Sequence, residues 1–229
     1  MKNTVISATC VAVGIAIAGL FVFLGLSKNA DKDRFVTVKG LSTRTVEADH
    51  AIWPLSFAIQ DNDLQQLYSE RERVSQVIVN LLKSRGFRDS DLQMGNVSVD
   101  DNWSNYTYGN RPEYKYTLHA SVIVSTDSVQ LVVRNNGCAS ELLNRGIIVN
   151  TSEWQMEYQY NGLSELKPEM IEEATKNARA VAQKFANDAE CDLGSIVRAS
   201  QGQFSIESDD YQPWLKHVRV VTTVDYKLD

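Results

Sequence analysis

The apolar run Thr4–Leu26 is the feature that most constrains how this chain folds. It contains no charged residue and no proline, and it reaches the length of about 20 residues that a helix needs to cross a bilayer. Because a helix satisfies its own backbone hydrogen bonds, such a run crosses lipid without help from polar side chains. We therefore predict one N-terminal transmembrane helix.

The alternative interpretation of this run is a cleavable signal peptide, whose apolar core is usually about 7–15 residues long. The run is longer than that, and the sequence SKNADKD that follows it lacks a small-residue cleavage site. These features favour an uncleaved signal anchor over residues 1–30 and an extracytoplasmic domain over residues 31–229. Since only a short tail with Lys2 precedes the run, we expect that tail to stay in the cytoplasm. The chain would then be a single-pass protein of the inner (cytoplasmic) membrane, with its soluble domain in the periplasm or exterior.

The net charge of the chain limits which classes of binding partner we expect. The formal net charge is -6 and the pI is about 5.2, and no run of Lys or Arg is present. This chain therefore lacks the basic surface that a nucleic-acid binder needs, and we expect no nucleic-acid partner.

Two cysteines, Cys138 and Cys191, lie in the soluble part. They form either one disulfide or two separate buried thiols, and the sequence leaves both readings open.

Alternating apolar residues predict strands, and apolar residues at three- and four-residue steps predict helices. Three helices are expected, over residues 64–86, 126–146 and 164–190, with Gly137 as a point of interruption in the second. Strands are expected at 35–40 with a looser continuation to 46, and at 51–60, 92–99, 113–125, 147–160, 196–206 and 218–228. Strands that are mostly adjacent in sequence, with helices between them, predict an α+β domain. We expect a mixed, mostly antiparallel sheet packed with three helices.

No catalytic or metal-binding motif is present in the sequence. The three histidines are far apart, and neighbouring His50 and Asp49 would point to opposite faces of a strand, so they would not meet. His119 is interpreted as a histidine on a sheet surface or as a packed histidine, rather than as a catalytic base. We therefore expect no enzymatic activity, no cofactor and no metal ion.

Two segments mix aromatic residues with carboxylates and amides, a composition that suits stacking on a sugar or holding a calcium ion. The first is the loop within residues 100–116, and the second is Asp209–Tyr211. The alternatives for each segment are a solvated hairpin tip and a contact between subunits that uses aromatic anchors, and together we favour these over a ligand site. The candidate ligand or oligomer contacts are Trp103, Tyr106, Tyr108, Asp209 and Tyr211.

Several short motifs follow one another in an order that resembles the SIMPL-domain family. The motifs are Val38-Lys39-Gly40, Asp49 with Ala51, Asp91-Leu92-Gln93, Tyr106-Thr107-Tyr108, Tyr114-Lys115-Tyr116, Leu193-Gly194 and Val224–Leu228. The family has a proline before the aspartate of the second motif, where this chain has Ala48. The family includes bacterial periplasmic proteins linked to oxidative-stress defence and a periplasmic immunogen.

The resemblance implies an α+β fold and self-association, because a characterised relative assembles into a ring with a channel-like opening. It supplies no catalytic residues. We therefore expect a non-enzymatic, membrane-anchored envelope protein whose domain assembles into a homo-oligomer, with a role in envelope or oxidative-stress defence. Strand edges at Phe35–Gly40 or Val218–Leu228 are expected to pair between subunits. The alternative is a periplasmic ligand-binding or sensing module that uses the aromatic loop.

Overall fold

The computed structural model describes residues 14–23, 34–104, 109, 111–150 and 156–229. Over these residues the fold is α+β with antiparallel strand pairs, as the sequence predicts. The strands are β1 (Phe35–Glu47), β2 (His50–Asp61), β3 (Leu92–Met94), β4 (Ser98–Asp101), β5 (Tyr116–Thr126), β6 (Val149–Asn150), β7 (Glu157–Gln159), β8 (Leu193–Gln201), β9 (Ser205–Ser208) and β10 (Leu215–Leu228). The helices after residue 33 are α1 (Leu64–Ser84), α2 (Val129–Asn135), α3 (Ala139–Asn144) and α4 (Leu163–Asp188).

The described residues after residue 33 therefore contain four α-helices, whereas the sequence predicted three. The helix expected over residues 126–146 is divided by a 3-10 turn at Asn136–Cys138, which contains Gly137. Glycine is a poor helix former, and its position explains the division. The N-terminus of α1 is as expected, since the Asp63 carboxylate accepts hydrogen bonds from the backbone N–H groups of Gln65 and Gln66.

Residues 14–23 are helical, and their side chains are exposed. No helix among the described residues has both the length and the apolar character required to span a membrane. Residues 4–13 and 24–26 of the predicted anchor lie outside the described residues.

The chain divides into two compact units. We call the first the terminal unit, formed by Met1–Thr43, Pro168–Ser205 and Arg219–Asp229. The second, the central unit, is formed by Arg44–Lys167 and Ile206–Val218.

In the terminal unit, the strands follow the order β1-β10-β8, with α4 packed on one face. The buried stripe of α4 is made of small residues at four-residue spacing, which are Ala174, Ala178, Ala182 and Ala186. They pack with Val38 of β1 and with Val224 and Tyr226 of β10. The expectation that Val218–Leu228 is an edge strand is wrong, because β10 lies between β1 and β8 and has a paired neighbour on each side.

Gly40 allows α4 to approach β1 backbone to backbone. A Cβ atom at this position would lie 1.8 Å from the carbonyl oxygen of Ala174 and 2.6 Å from the backbone nitrogen of Ala178. Beside this contact, the Ser42 hydroxyl donates to Glu173 at 2.7 Å, and the Asn177 amide donates to the carbonyl oxygen of Leu41 at 2.8 Å. Only glycine fits here, which explains the glycine of the Val38-Lys39-Gly40 motif.

The central unit is built on an eleven-residue ladder between β2 and β5, from Ala51 opposite Thr126 to Asp61 opposite Tyr116. Its strands follow the order β3-β5-β2-β6, with β4 also pairing β5 and β7 also pairing β2. One face of the ladder forms the core with α1 and includes fully buried side chains. These include Trp53, Leu55, Leu118, Val122 and Val124 on the strands and Leu67, Ile78 and Leu82 on α1.

Two aspartates from the resemblance motifs fix local structure in the central unit. Asp49 accepts hydrogen bonds from the backbone N–H groups of Asn161 and Gly162, just before α4 begins. Asp91 is buried and bound by the guanidinium and backbone N–H of Arg88. Burial by itself would raise the pKa of Asp91, but the hydrogen bonds from Arg88 outweigh it and lower the pKa below its ordinary value.

We predict that Gly40→Ala destabilises the protein by about 3 kcal/mol or more, because the added methyl group forces the backbones of β1 and α4 apart. The matched control is Gly137→Ala, where a Cβ meets nothing within 4 Å. The control should change the free energy of unfolding by less than about 1 kcal/mol. Urea unfolding followed by circular dichroism measures both. Equal stability of the two variants would contradict the close approach.

Candidate functional site

Of the three candidate residues in the aromatic loop, the structure describes Trp103, whose ring is engaged by other residues of the same loop. The guanidinium carbon of Arg111 lies 3.3 Å from the centre of the Trp103 ring, a cation–π contact that covers one ring face. The Trp103 indole N–H donates to the carbonyl oxygen of Pro112 at 3.1 Å. Tyr106 and Tyr108 lie outside the described residues. Trp103 is therefore held in place by its own loop.

The second candidate segment forms a turn around one carboxylate. Oδ1 of Asp209 accepts hydrogen bonds from the backbone N–H groups of Tyr211 and Gln212, each at 2.9 Å. Oδ2 lies 3.2 Å from Nε2 of His217. The two backbone hydrogen bonds have the largest effect in lowering the pKa of Asp209, and the hydrogen bond with His217 lowers it further. Tyr211 is 92% exposed, so its phenol is the part of the segment open to a partner.

The two segments lie at opposite ends of the central sheet. Asp101, two residues before Trp103, is paired with Tyr116, which is opposite Asp61 at the end of β2. The other segment leads to Trp214, whose carbonyl oxygen accepts from the N–H of Ala48, just before β2 begins. A strand of this length spans roughly 35 Å. The candidate residues that the structure describes therefore do not form one site.

A groove of about 530 Å³ lies on the face of the β2–β5 ladder opposite the core. Its lining combines polar side chains with apolar ones that include the exposed Ile148. The polar side chains include Ser56, Ser98, His119, Ser121 and Asn150. Hydroxyl, amide and imidazole groups of this kind form hydrogen bonds with a polar, uncharged ligand. The sequence did not reveal the groove, because its residues come from four strands that only the pairing brings together.

His119 lies on this outer face, as expected from its alternation with buried Leu118. Its Nε2 atom is 3.3 Å from a carboxylate oxygen of Asp100, and its side chain is 54% exposed.

His50 meets an aspartate other than its neighbour Asp49. Its Nδ1 lies 2.7 Å from Asp127, and its Nε2 lies 3.0 Å from the Ser125 hydroxyl. The same atoms connect aspartate, histidine and serine in acyl-transfer sites, where the aspartate is buried. Here the side chain of Asp127 is 83% exposed. We therefore interpret the group as a clamp that joins the start of β2 to the end of β5.

Besides the groove, a second candidate surface is formed by β1 and β8, the outer strands of the terminal-unit sheet. Burial alternates without interruption along β1, and its outward-facing Phe35 is 52% exposed. In β8 every residue from Ser195 to Gln201 is exposed, and Val197 is 63% exposed. Val197 has no partner in β10, because the register shifts between Asp225 and Tyr226. It is the extra residue of a β-bulge.

Both described cysteines are free thiols, so the structure favours the reading without a disulfide. Cys138 is buried, and burial raises the pKa of its thiol. Cys191 is half-buried, and its Sγ lies 3.5 Å from the carbonyl oxygen of Ala186. Within the described ranges, no three His, Cys, Asp or Glu side chains come together in a way that would hold a metal ion.

A family model described as SIMPL, a protein of unknown function (DUF541), matches residues 36–222. This chain belongs to the SIMPL family. A comparison with curated proteins found no match. The match covers strands of both units, from β1 to β10. In this SIMPL protein, the motif residues Gly40, Asp49 and Asp91 support the backbone rather than line the groove.

We predict that a maleimide reagent modifies Cys191 faster than Cys138 in the folded protein at neutral pH. The thiolate is the reactive form, so a raised pKa leaves less of it at any given pH, and burial further limits access to Cys138. Peptide mass mapping of partly labelled protein measures both rates. Unfolding in urea should remove the difference, which serves as the control. Faster labelling of Cys138 in the folded protein would contradict its burial.

Proposed function

We propose that this SIMPL protein is a membrane-anchored cell-envelope protein whose domain self-associates into a ring-like or channel-like oligomer. One observation carries the proposal: β1 and β8 are both outer strands of the described terminal-unit sheet. Outer strands present unpaired backbone N–H and C=O groups that pair readily with another chain. Self-association, rather than catalysis, is the main role in this proposal.

The two edges differ, which favours a head-to-tail arrangement. Pairing of β1 from one subunit with β8 of the next uses a different surface on each partner. Such heterologous contacts generate a ring when the rotation between subunits closes. Such a ring would be one form of the self-association that the resemblance implies, and we expect about four or more chains in the oligomer.

The apolar N-terminal run supports the membrane location. Among its described residues, Ile15, Phe21 and Phe23 are each about 70% exposed. In a single-pass protein of the inner membrane, these side chains would contact lipid. One anchor per chain would orient every domain alike and raise its local concentration, which promotes assembly. A role in envelope or oxidative-stress defence rests on the resemblance alone.

The test is the substitution Val197→Pro, with Val197→Ala as its matched control. Proline removes the backbone N–H from the outer strand, and the β10 ladder tolerates it because Val197 has no partner there. Alanine removes the same apolar side chain but keeps the N–H. We expect the wild type and Val197→Ala to be oligomers in detergent, and Val197→Pro to be a monomer, by native mass measurement.

Circular dichroism establishes that each variant is folded. A wild-type protein that is monomeric at high concentration would overturn the proposal. An oligomer that survives Val197→Pro in folded protein would show that β8 is not the contact.

The groove on the central sheet supports a second candidate, a ligand-binding or sensing module. Its hydroxyl, amide and imidazole groups suit a neutral sugar, while the engagement of Trp103 by Arg111 argues against the aromatic loop as the binding surface. In this reading the binding site is the outer face of the β2–β5 ladder.

N-acetylglucosamine and its short oligomers are suitable probes for this second candidate. We expect a saturable rise in melting temperature in the wild type and its loss in Ser121→Ala, which removes a hydroxyl group from the groove. The control Tyr211→Ala removes an exposed aromatic residue outside the groove and should keep the response. A wild type with no response to these sugars removes the support for this class of ligand.

A further inference from the structure

The hairpin of β9 and β10 places a buried amine against an exposed hydroxyl group. Lys216 of β10 is only 6% exposed, and its Nζ lies 2.6 Å from Oγ of Ser208, the last residue of β9. Ser208 is exposed. The hydroxyl is therefore open to a reagent from solvent, while the amine behind it is shielded from water.

The surroundings of Lys216 disfavour its charged form. A buried lysine is normally paired with a carboxylate. Among the described residues, none forms a salt bridge with Lys216, whose hydrogen-bond partner is the Ser208 hydroxyl. Burial lowers the pKa of Lys216, and the more distant charge of Glu157 in β7 only partly opposes this effect.

Two further titratable groups of the hairpin are already engaged with each other. The carboxylate of Asp209 accepts from two backbone N–H groups and from His217. Nδ1 of His217 in turn lies 3.0 Å from the Thr45 hydroxyl. The Ser208 hydroxyl is thus the group that the amine of Lys216 contacts.

We propose that Ser208 and Lys216 form a nucleophile–base pair that accepts an acyl group from a reactive ester. This role goes beyond self-association. A serine whose hydroxyl proton is taken by a neutral lysine is one of the known ways to activate a nucleophile. The pair differs from the His50 clamp because the base is buried and the nucleophile is exposed.

The reaction balances with the ester and water as its reactants. Oγ of Ser208 attacks the ester carbonyl carbon as its proton passes to Nζ of Lys216. The bond between the carbonyl carbon and the alcohol oxygen breaks, and the alcohol leaves with the proton from Nζ. The acyl group stays on Ser208 until water attacks its carbonyl carbon. Lys216 takes a proton from that water and returns it to Oγ of Ser208 as the acid leaves.

The test uses the full chain in detergent with a fluorophosphonate probe. Oγ of Ser208 forms a bond to phosphorus, fluoride leaves, and the proton goes to Lys216. Peptide mass mapping compares Ser208 with Ser195 and Ser200, which are exposed serines of β8 and serve as internal controls. We expect Ser208 to react faster by on the order of 100-fold, the usual range for base catalysis, with a rate that rises with pH as Lys216 loses its proton.

Two variants separate a reactive pair from a purely structural hydrogen bond. Lys216→Met removes the amine but keeps an apolar chain of similar length, so the hairpin should fold, and labelling of Ser208 should fall to the level of Ser200. Lys227→Met, on the same strand, removes a lysine remote from Ser208 and should leave labelling unchanged. Circular dichroism checks the folding of both variants.

Equal labelling of Ser208 and Ser200 in the wild type would overturn the proposal. Undiminished labelling of Ser208 in folded Lys216→Met would do the same. If Lys216→Met does not fold, the wild-type comparison decides by itself.

Discussion

The terminal unit depends on one contact, the backbone approach between β1 at Gly40 and α4 at Ala174 and Ala178. An alanine stripe on the helix and a glycine on the strand bring two main chains together with no side chain between them. Because the two main chains are in direct contact, stability at this point depends on close packing, and small voids or added atoms are costly. The same contact holds β1 at the edge of the sheet, where the proposed assembly uses it.

Local pattern was sufficient to predict most elements of the fold. The alternation in β5, the Asp63 cap of α1 and the alanine spacing of α4 each act over a few residues, so the sequence displays them directly. Strand order was not predictable in this way. The last strand has the same alternation whether it lies at an edge or in the middle, and only pairing with β1 and β8 decides that it is central.

The candidate site residues show more clearly that local sequence patterns do not predict contacts between distant parts of the chain. The sequence placed His50 next to Asp49 and correctly rejected that pair, but its partners Asp127 and Ser125 are more than seventy positions away. All three histidines lie within 3.3 Å of an aspartate oxygen, namely those of Asp127, Asp100 and Asp209. In an acidic chain, exposed carboxylates attract imidazole groups across strands. No local motif encodes such pairs, and the close approach of Lys216 to Ser208 was missed for the same reason, although the hairpin is short.

The bulge at Val197 and the proposed membrane anchor are best understood together. A bulge twists an outer strand and weakens its pairing with other chains, which protects a free domain from uncontrolled aggregation. Weak pairing is a disadvantage for assembly only when the subunits are dilute. Anchors that hold the domains at one surface would raise their effective concentration, so a contact that is weak between dilute domains would become sufficient there. On this argument the proposed anchors would offset the weaker pairing at the bulge, because subunits held in the same orientation can close head-to-tail contacts between β1 and β8.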